Sequence, residues 1–178
     1  MAIINKYIFT VLQIVAWAIF IGLCIEAGGL IVNFFFSLIK PESIGYLYQK
    51  LNLIELYSNN KWAFFIIYSS ILSLSILKSY LFYIVVRLTH KIDLSNPFST
   101  FVSKQIMYIS YYTLTIGLLS YIAKETVKAL INHGMLLTDL SRFWVDSEAF
   151  IMMGAVIYII STIFKKGVEI QSENQLTI

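Results

Sequence analysis

The fold is decided by the stretch that runs from residue 62 to residue 122. It opens with WAFFIIYSSILSLSILKSYLFYIVV (62–86), passes through the basic connector RLTHK (87–91), and closes with QIMYISYYTLTIGLLSYI (105–122). An apolar run of about 20 residues is long enough to cross the hydrocarbon core of a bilayer as a helix. The pattern predicts two membrane-spanning helices joined by a short connector.

The composition of the whole chain also indicates a lipid environment. Hydrophobic residues make up 58% of the 178 residues and charged residues 13%, and the mean hydropathy is +0.77. Soluble domains carry about 25% charged residues, because their surface faces water. The composition therefore predicts an integral membrane protein built as one domain, residues 1–178, with the lipid bilayer as its first partner.

Two further apolar runs complete the predicted fold. The first is longer than a bilayer requires, and tilt, a break at Gly28–Gly29 or projection from the membrane would absorb the excess. We read it as an uncleaved helix, since it exceeds the apolar length of a secretory signal. The fold class is all-α, a four-helix transmembrane bundle. Its predicted spans are residues 7–36, 62–86, 105–122 and 147–164.

The two long connectors carry their own signals. Apolar residues between Ile44 and Leu56 recur at helical spacing, which predicts a short amphipathic helix. It would lie on the membrane surface as an interfacial helix or fold against the bundle, and both alternatives stay open. The third helix is expected to run past its span and end near Asn132–His133–Gly134, where glycine suits a left-handed cap.

Small and hydroxylated residues mark the faces on which the helices should approach one another. In lipid, small side chains let helix backbones come close and hydroxyl groups bond across the interface. The candidate positions are Ala18 and Gly22 in the first helix, Ser69, Ser73, Ser75 and Ser79 in the second, Ser110, Thr113, Gly117 and Ser120 in the third, and Gly154 and Ala155 in the fourth.

Basic residues close to helix ends set the predicted orientation. Four spans put both termini on one side, and Arg87, Lys91, Lys165 and Lys166 all lie tightly at helix ends on that side. Such residues favour the cytoplasmic face. Both termini are therefore predicted to be cytoplasmic.

Three polar residues interrupt the apolar runs: Gln13, Glu26 and Lys78. A charge at the bilayer centre costs about 2.5–3.5 kcal/mol, so each is a functional candidate. Counted from Tyr7, Glu26 lies about 28 Å along its helix, near the outer interface, whereas Lys78 can extend toward the level of Arg87. A buried Glu26 paired with Lys78 or a tyrosine would make a proton or cation site, but opposite depths argue against that pair.

Residues 95–99, SNPFS, precede the third span and read as a helix start. Pro97 suits the first helical position, Asn96 or Ser95 can cap the next backbone donors, and Asp93 adds charge that favours this helix end. The alternative is a cytoplasmic docking surface that these residues form with Lys91, Lys104 and the C-terminal tail.

The sequence lacks the motifs and residue clusters that mark common catalytic and metal sites. A single cysteine, Cys24, allows neither an intramolecular disulfide nor a thiolate cluster, and His90 and His133 fall on opposite sides of the predicted membrane. The chain has no HExxH, GxSxG, phosphate-binding loop or GxGxxG motif. We therefore expect no enzyme, no cofactor and no metal, and the absence of a basic stripe argues against direct nucleic-acid binding.

The closing stretch IFKKGVEIQSENQLTI (163–178) resembles the end of a bacterial family known as domain of unknown function 2975. That family's pattern is Phe-basic-Gly-x-x-Leu-Gln-x-Glu-Asn-x-Leu-Thr-Val/Ile. Ile170 stands where the family more often has leucine, and Gln175 where it more often has aspartate. The Asn-Pro-Phe of residues 96–98 is a second shared feature. The resemblance implies an uncharacterised four-helix protein of the bacterial inner membrane, encoded beside a small helix-turn-helix regulator and acting as its membrane partner.

A cytoplasmic docking surface would serve such a partner, and the acidic and apolar tail offers one. The alternative for the tail is a helix end that frays into solvent. The predicted docking residues are Arg87, Lys91, Asn96, Pro97, Phe98, Lys104, Lys165, Lys166, Glu169, Glu173 and Leu176.

The leading functional hypothesis is a non-enzymatic membrane sensor or tether. One rival is a small transporter or channel that uses Glu26 and Gln13, and another is a structural or immunity-type membrane subunit. The signal, the partner and homo-oligomer formation stay open at the level of sequence.

Overall fold

A computed structural model describes residues 2–40, 44, 51, 53–93, 97–135 and 140–176. Four of its helices are long and apolar enough to cross a membrane, which confirms the predicted all-α, multi-pass architecture. The described elements are α1 (Ala2–Ile39), α2 (Ile54–Asn59), α3 (Lys61–Lys91), α4 (Thr100–Asn132), a 3-10 turn (Ser141–Phe143) and α5 (Ser147–Leu176).

Helix α1 packs along α3 and exposes most of its remaining surface. It is one continuous helix, so the alternative of a break at Gly28–Gly29 is wrong. Its predicted small-residue face is also wrong, because Ala18 and Gly22 are exposed. The hydroxyl of Tyr68 donates a hydrogen bond of 2.9 Å to the carbonyl of Leu30, and this bond joins α1 to α3.

Helices α4 and α5 form the closest pair in the bundle, as their small residues predicted. A Cβ placed on Gly117 would lie 2.9 Å from the backbone nitrogen of Ile151, and one on Gly154 would lie 2.9 Å from that of Leu114. The backbones therefore approach closely at two neighbouring points, three residues apart on each helix. The other predicted small positions of α4, Ser110, Thr113 and Ser120, are buried, whereas Ala155 of α5 is exposed.

The start of α4 differs from the sequence prediction. The helix begins at Thr100, and the hydroxyl of Ser99 caps it by accepting a hydrogen bond of 3.2 Å from the backbone of Val102. Pro97 therefore does not occupy the first helical position, and the predicted cap at Asn96 or Ser95 is wrong. Asn96 itself lies outside the described residues. Both serine and asparagine suit a cap, so local sequence alone did not separate them.

The end of α4 confirms its prediction. Gly134 has a φ of +82°, and the backbone N–H groups of Gly134 and Met135 donate to the carbonyls of Ile131 and Leu130 at 2.9 and 3.2 Å. This is a Schellman cap, in which a left-handed residue satisfies the last helical carbonyls. Glycine adopts that conformation without steric cost.

Beyond the cap of α4, the described parts of the connectors pack onto one end of the bundle, which we call the cap end (residues 44, 51, 53–60, 135 and 140–147). The short helix α2 lies in the first connector, as predicted, and its Leu56 is buried together with Leu53. These side chains join Phe64, Tyr68 and Phe143 in one apolar cluster. The described part of the first connector thus folds against the bundle; residues 45–50 and 52 lie outside the described part.

The opposite end, which we call the tail end, holds residues 87–93, 97–104 and 165–176. Helix α5 continues without interruption from Ser147 through the tail to Leu176. Over this range the tail is a direct extension of the fourth spanning helix. The tail end therefore presents ordered helical surface from α3, α4 and α5.

Candidate functional site

A cavity of about 650 Å³ opens at the cap end, between the last turns of α4 and residues 140–148. We call it the cap pocket. The side chains of Trp144 and Ile131 form an apolar part of the pocket wall, and charged groups of both signs line the rest of the pocket. Lys124 and Lys128 come from α4, and Asp146 and Glu148 from the start of α5.

Two of these charges already have structural roles. Lys128 forms an ion pair with Glu125 on its own helix. The carboxylate of Asp146 accepts a hydrogen bond of 3.2 Å from the backbone of Ala149 and so caps α5. Of the four charged groups, this leaves Glu148 and the half-buried Lys124 to determine the charge inside the pocket.

The wall of the cap pocket is tied to the membrane-spanning part of α4 through Ser120. The Ser120 hydroxyl is fully buried; it accepts a hydrogen bond of 3.1 Å from the Val145 amide and donates one of 3.0 Å to the Val145 carbonyl. A single side chain thus satisfies both backbone groups of a residue that lines the pocket. Displacement of the wall would break both bonds.

A second tie joins the same wall to α3. The ammonium group of Lys78 donates a hydrogen bond of 3.2 Å to the carbonyl of Phe143, the last residue of the 3-10 turn. Phe143 is 2% exposed and belongs to the apolar cluster of the cap end. Lys78 therefore extends toward the cap end, not toward Arg87 as the sequence suggested.

Glu26 of α1 lies close enough to Lys78 to act on its charge. The expectation that the two residues sit at opposite depths is wrong. The position of a residue along its own helix does not give its depth relative to a residue of another helix. That relative depth depends on the antiparallel register of α1 and α3. Gln13 lies opposite His90, so Glu26 and Lys78 are both about 18–20 Å from that common level.

Gln13 belongs to a different place in the bundle. Its amide nitrogen is 2.7 Å from Nδ1 of His90, at the tail end of α3. About 20 Å of helix separates it from Glu26. The structure brings Glu26 and Lys78 together and leaves Gln13 apart, so the three polar residues do not form one site.

At the tail end, the predicted docking residues of α3 are engaged within the chain. The guanidinium of Arg87 and the ammonium of Lys91 lie 5.5 and 5.7 Å from the ring centroid of Phe101 in α4. Both distances suit a cation–π contact. These two residues hold α3 against the first turn of α4 and remain exposed on their outer side.

Phe98 connects the other two predicted stretches. Its ring stacks on Phe164 with centroids 4.8 Å apart, and a Cβ on Gly167 would come within 3.2 Å of the same ring. The Asn-Pro-Phe stretch and the Phe-basic-Gly pattern of the tail, which are separated by more than 60 residues in sequence, thus meet through Phe98. Gly167 provides the space that the Phe98 ring occupies.

The remaining docking candidates lie along α4 and α5. Lys104 and Lys165 line a groove of about 400 Å³ between the two helices, and Lys166 forms an ion pair of 3.2 Å with Glu169. Glu173 is exposed on the same helix. Leu176 is the last residue of α5. Pro97 lies in the connector directly before Phe98.

Sequence reasoning missed the cap pocket and its two ties. Ser120 was assigned to helix packing, and the partner of Lys78 is a backbone carbonyl, which no side-chain pattern reveals. Trp144 beside three nearby charged residues was the available signal, but the pocket depends on how residues 140–148 fold back onto α4.

No curated protein and no solved structure shows significant similarity to the chain. The family model described as protein of unknown function (DUF2975) matches residues 49–178. This range covers α2 to α5, including the cap pocket, Lys78 and the meeting point of Phe98 with the tail. The chain therefore belongs to the DUF2975 family of proteins of unknown function.

Proposed function

We propose that the protein is a non-enzymatic membrane sensor that passes a signal from the cap pocket to a cytoplasmic partner at the tail end. It would sit in a bacterial inner membrane with both termini in the cytoplasm. The observation that carries the proposal is the double attachment of the pocket wall. Residues 143 and 145 are hydrogen-bonded to Lys78 of α3 and Ser120 of α4, respectively.

The route from the pocket to the tail end supports this function. A ligand that moves Trp144 would strain both attachments, because residues 143 and 145 flank it. Helix α3 then carries the change toward Arg87, which contacts Phe101 of α4. Packed helices transmit such shifts because their interfaces favour discrete arrangements.

The partner we propose is a small helix-turn-helix regulator. The tail-end part of α5 offers Glu169, exposed Ile170 and exposed Glu173 on a continuous helix. An acidic and apolar helical surface complements a basic DNA-binding protein outside its DNA-reading face. Binding at the membrane would hold the regulator away from DNA until the cap pocket is occupied.

Hydrogen exchange tests the transmission step. Ser120→Ala removes both bonds to Val145, and Lys78→Met removes the bond to Phe143. We expect each variant to accelerate amide exchange at 141–147 and also at 164–173. Thr115→Ala is the matched control, because Thr115 is exposed on α4 and bonds only within its own helix. Faster exchange at the pocket wall with an unchanged tail end would refute transmission.

Photo-crosslinking in cells tests the partner. A crosslinking residue at Ile170 should capture a helix-turn-helix protein, and the same residue at Ile131, which is equally exposed at the cap end, should not. Identical adducts at both positions, or Ile170 adducts without such a protein, would contradict the proposed partner.

A small transporter or channel is the second candidate, and the proximity of Glu26 to Lys78 favours it. A proton or cation could cross by way of these two ionisable side chains, which lie at the same level of the bundle. In that case Glu26→Gln should abolish the flux of protons or cations into liposomes that contain the purified protein. A sensor without transport would show the background flux of empty liposomes for both forms.

A further inference from the structure

The groove between α4 and α5 at the tail end is lined by residues of both helices: Thr100, Ser103, Lys104 and Met107 of α4, and Lys165, Val168, Glu169 and Ser172 of α5. Its volume of about 400 Å³ suits the headgroup of a lipid together with the first part of an acyl chain. We propose that this groove is a binding site for an anionic phospholipid. The argument for this site does not use the regulator proposed above, although Glu169 belongs to both surfaces.

The charges in the groove call for an anion. Lys104 projects from α4 and Lys165 from α5, and neither ammonium group forms an ion pair within the described part of the chain. Two like charges beside one cavity repel each other unless an anion lies between them. Glu169 also borders the groove, but its carboxylate is paired with Lys166.

The position of the two lysines matches a lipid phosphate. Residues 105–123 of α4 and 149–164 of α5 contain no Asp, Glu, Lys or Arg. The first run spans about 28 Å, close to the hydrocarbon thickness of about 30 Å. Lys104 and Lys165 stand immediately before the first run and after the second, so both mark the same headgroup level of the membrane.

The groove has polar lining at the level of the two lysines and an apolar residue on its membrane side. Thr100 and Ser103 line it next to Lys104 on α4 and carry hydroxyl groups, which can donate hydrogen bonds to phosphate oxygens. Met107 lies one turn deeper in the span and gives the groove an apolar floor for an acyl chain. Basic pockets between spanning helices are a known mode of anionic lipid recognition.

Lipid retention measured by native mass spectrometry tests this site on the full chain in detergent. We expect the protein to retain phosphatidylglycerol in preference to phosphatidylcholine. Lys104→Gln and Lys165→Gln should each weaken phosphatidylglycerol binding about fivefold (about 1 kcal/mol). Lys165→Arg should keep it, because it preserves the charge.

Lys91→Gln is the matched control, because it removes a lysine charge at the same end of the bundle from a residue that does not line the groove. It should leave lipid retention unchanged. Equal losses for Lys165→Gln and Lys91→Gln, or equal retention of both lipids, would overturn the proposal. Displacement of the lipid by millimolar glycerol phosphate would also overturn it, since the site would then bind a free anion. The assay contains no protein partner, so its failure leaves the sensor tests unaffected.

Discussion

Alanine at Gly117 gives the sharpest test of the packing that supports both ends of the bundle. The added Cβ would lie 2.8 Å from Cγ1 and 2.9 Å from the backbone nitrogen of Ile151, and 3.1 Å from the carbonyl oxygen of Ser147. Ordinary contacts begin near 3.4 Å. The Ile151 side chain can rotate, but two of the three atoms are backbone, so α4 and α5 must move apart.

Two opposing effects decide the magnitude. Replacing glycine by alanine within a helix gains up to about 1 kcal/mol, whereas overpacking a tight interface costs about 1–3 kcal/mol. The expected net loss for Gly117→Ala is therefore up to about 2 kcal/mol. Gly154→Ala should behave alike, because its Cβ would lie 2.7 Å from Cγ and 2.9 Å from the backbone nitrogen of Leu114.

The chain supplies its own controls in α1. A Cβ on Gly22 or Gly28 meets nothing within 4 Å, so Gly22→Ala and Gly28→Ala should gain up to about 1 kcal/mol. Reversible unfolding in mixed detergent and SDS micelles measures all four variants. Opposite signs for the two pairs support the described interface between α4 and α5. The same sign and size for all four would refute the reasoning.

Three further variants test individual contacts by the same unfolding assay. Ser99→Ala should lower stability by about 1 kcal/mol through loss of the α4 cap, and Ser99→Asp should restore it; equal stability of the two would contradict the cap. Tyr68→Phe should cost about 0.5–1.5 kcal/mol, because it removes the bond to the Leu30 carbonyl that joins α1 to α3, and no loss would contradict that tie. Phe98→Leu should cost about 0.5–1.5 kcal/mol through loss of stacking on Phe164 and should speed amide exchange at 164–170; unchanged exchange there would show that Phe98 does not anchor the tail.

The membrane-spanning architecture was predictable because the bilayer imposes it on the sequence directly. Helices in lipid must bury their backbone polar groups, so long apolar runs such as residues 62–86 admit few alternatives. The packing face of α4 followed as well. Gly117 is the residue that lets the backbone of α5 approach, and Ser110 and Ser120 of the same predicted set are also buried.

The relations between helices were not predictable to the same degree. Ala18 and Gly22 have the same spacing as the packing residues of α4 but face away from α3, because the face that a helix buries depends on its partner. The depth of Glu26 relative to Lys78 required the register set by the Gln13 and Tyr68 contacts. Such registers depend on side-chain fit over the whole interface and leave no local signal.

The cap pocket was beyond sequence reasoning for a different reason. Its wall is a short non-helical segment whose position depends on one serine hydroxyl and one lysine ammonium group acting on backbone atoms. Every residue type supplies the same backbone N–H and C=O groups, so the sequence does not reveal which residue will be bonded through its backbone. Besides Trp144 and its charged neighbours, the lysine at position 78 within an apolar span was a hint, but it suggested extension toward the opposite end.

The sidedness of the two ends is the claim on which the sensor account rests most directly. A maleimide that cannot cross membranes, applied to intact cells, tests it with Cys24 first replaced by serine and single cysteines placed at Ile131 or Ile170, two equally exposed positions. The account predicts that the cysteine at 131 reacts in intact cells and that the cysteine at 170 reacts only after the cells are opened. Reaction at 170 in intact cells, or protection of both positions, would contradict it.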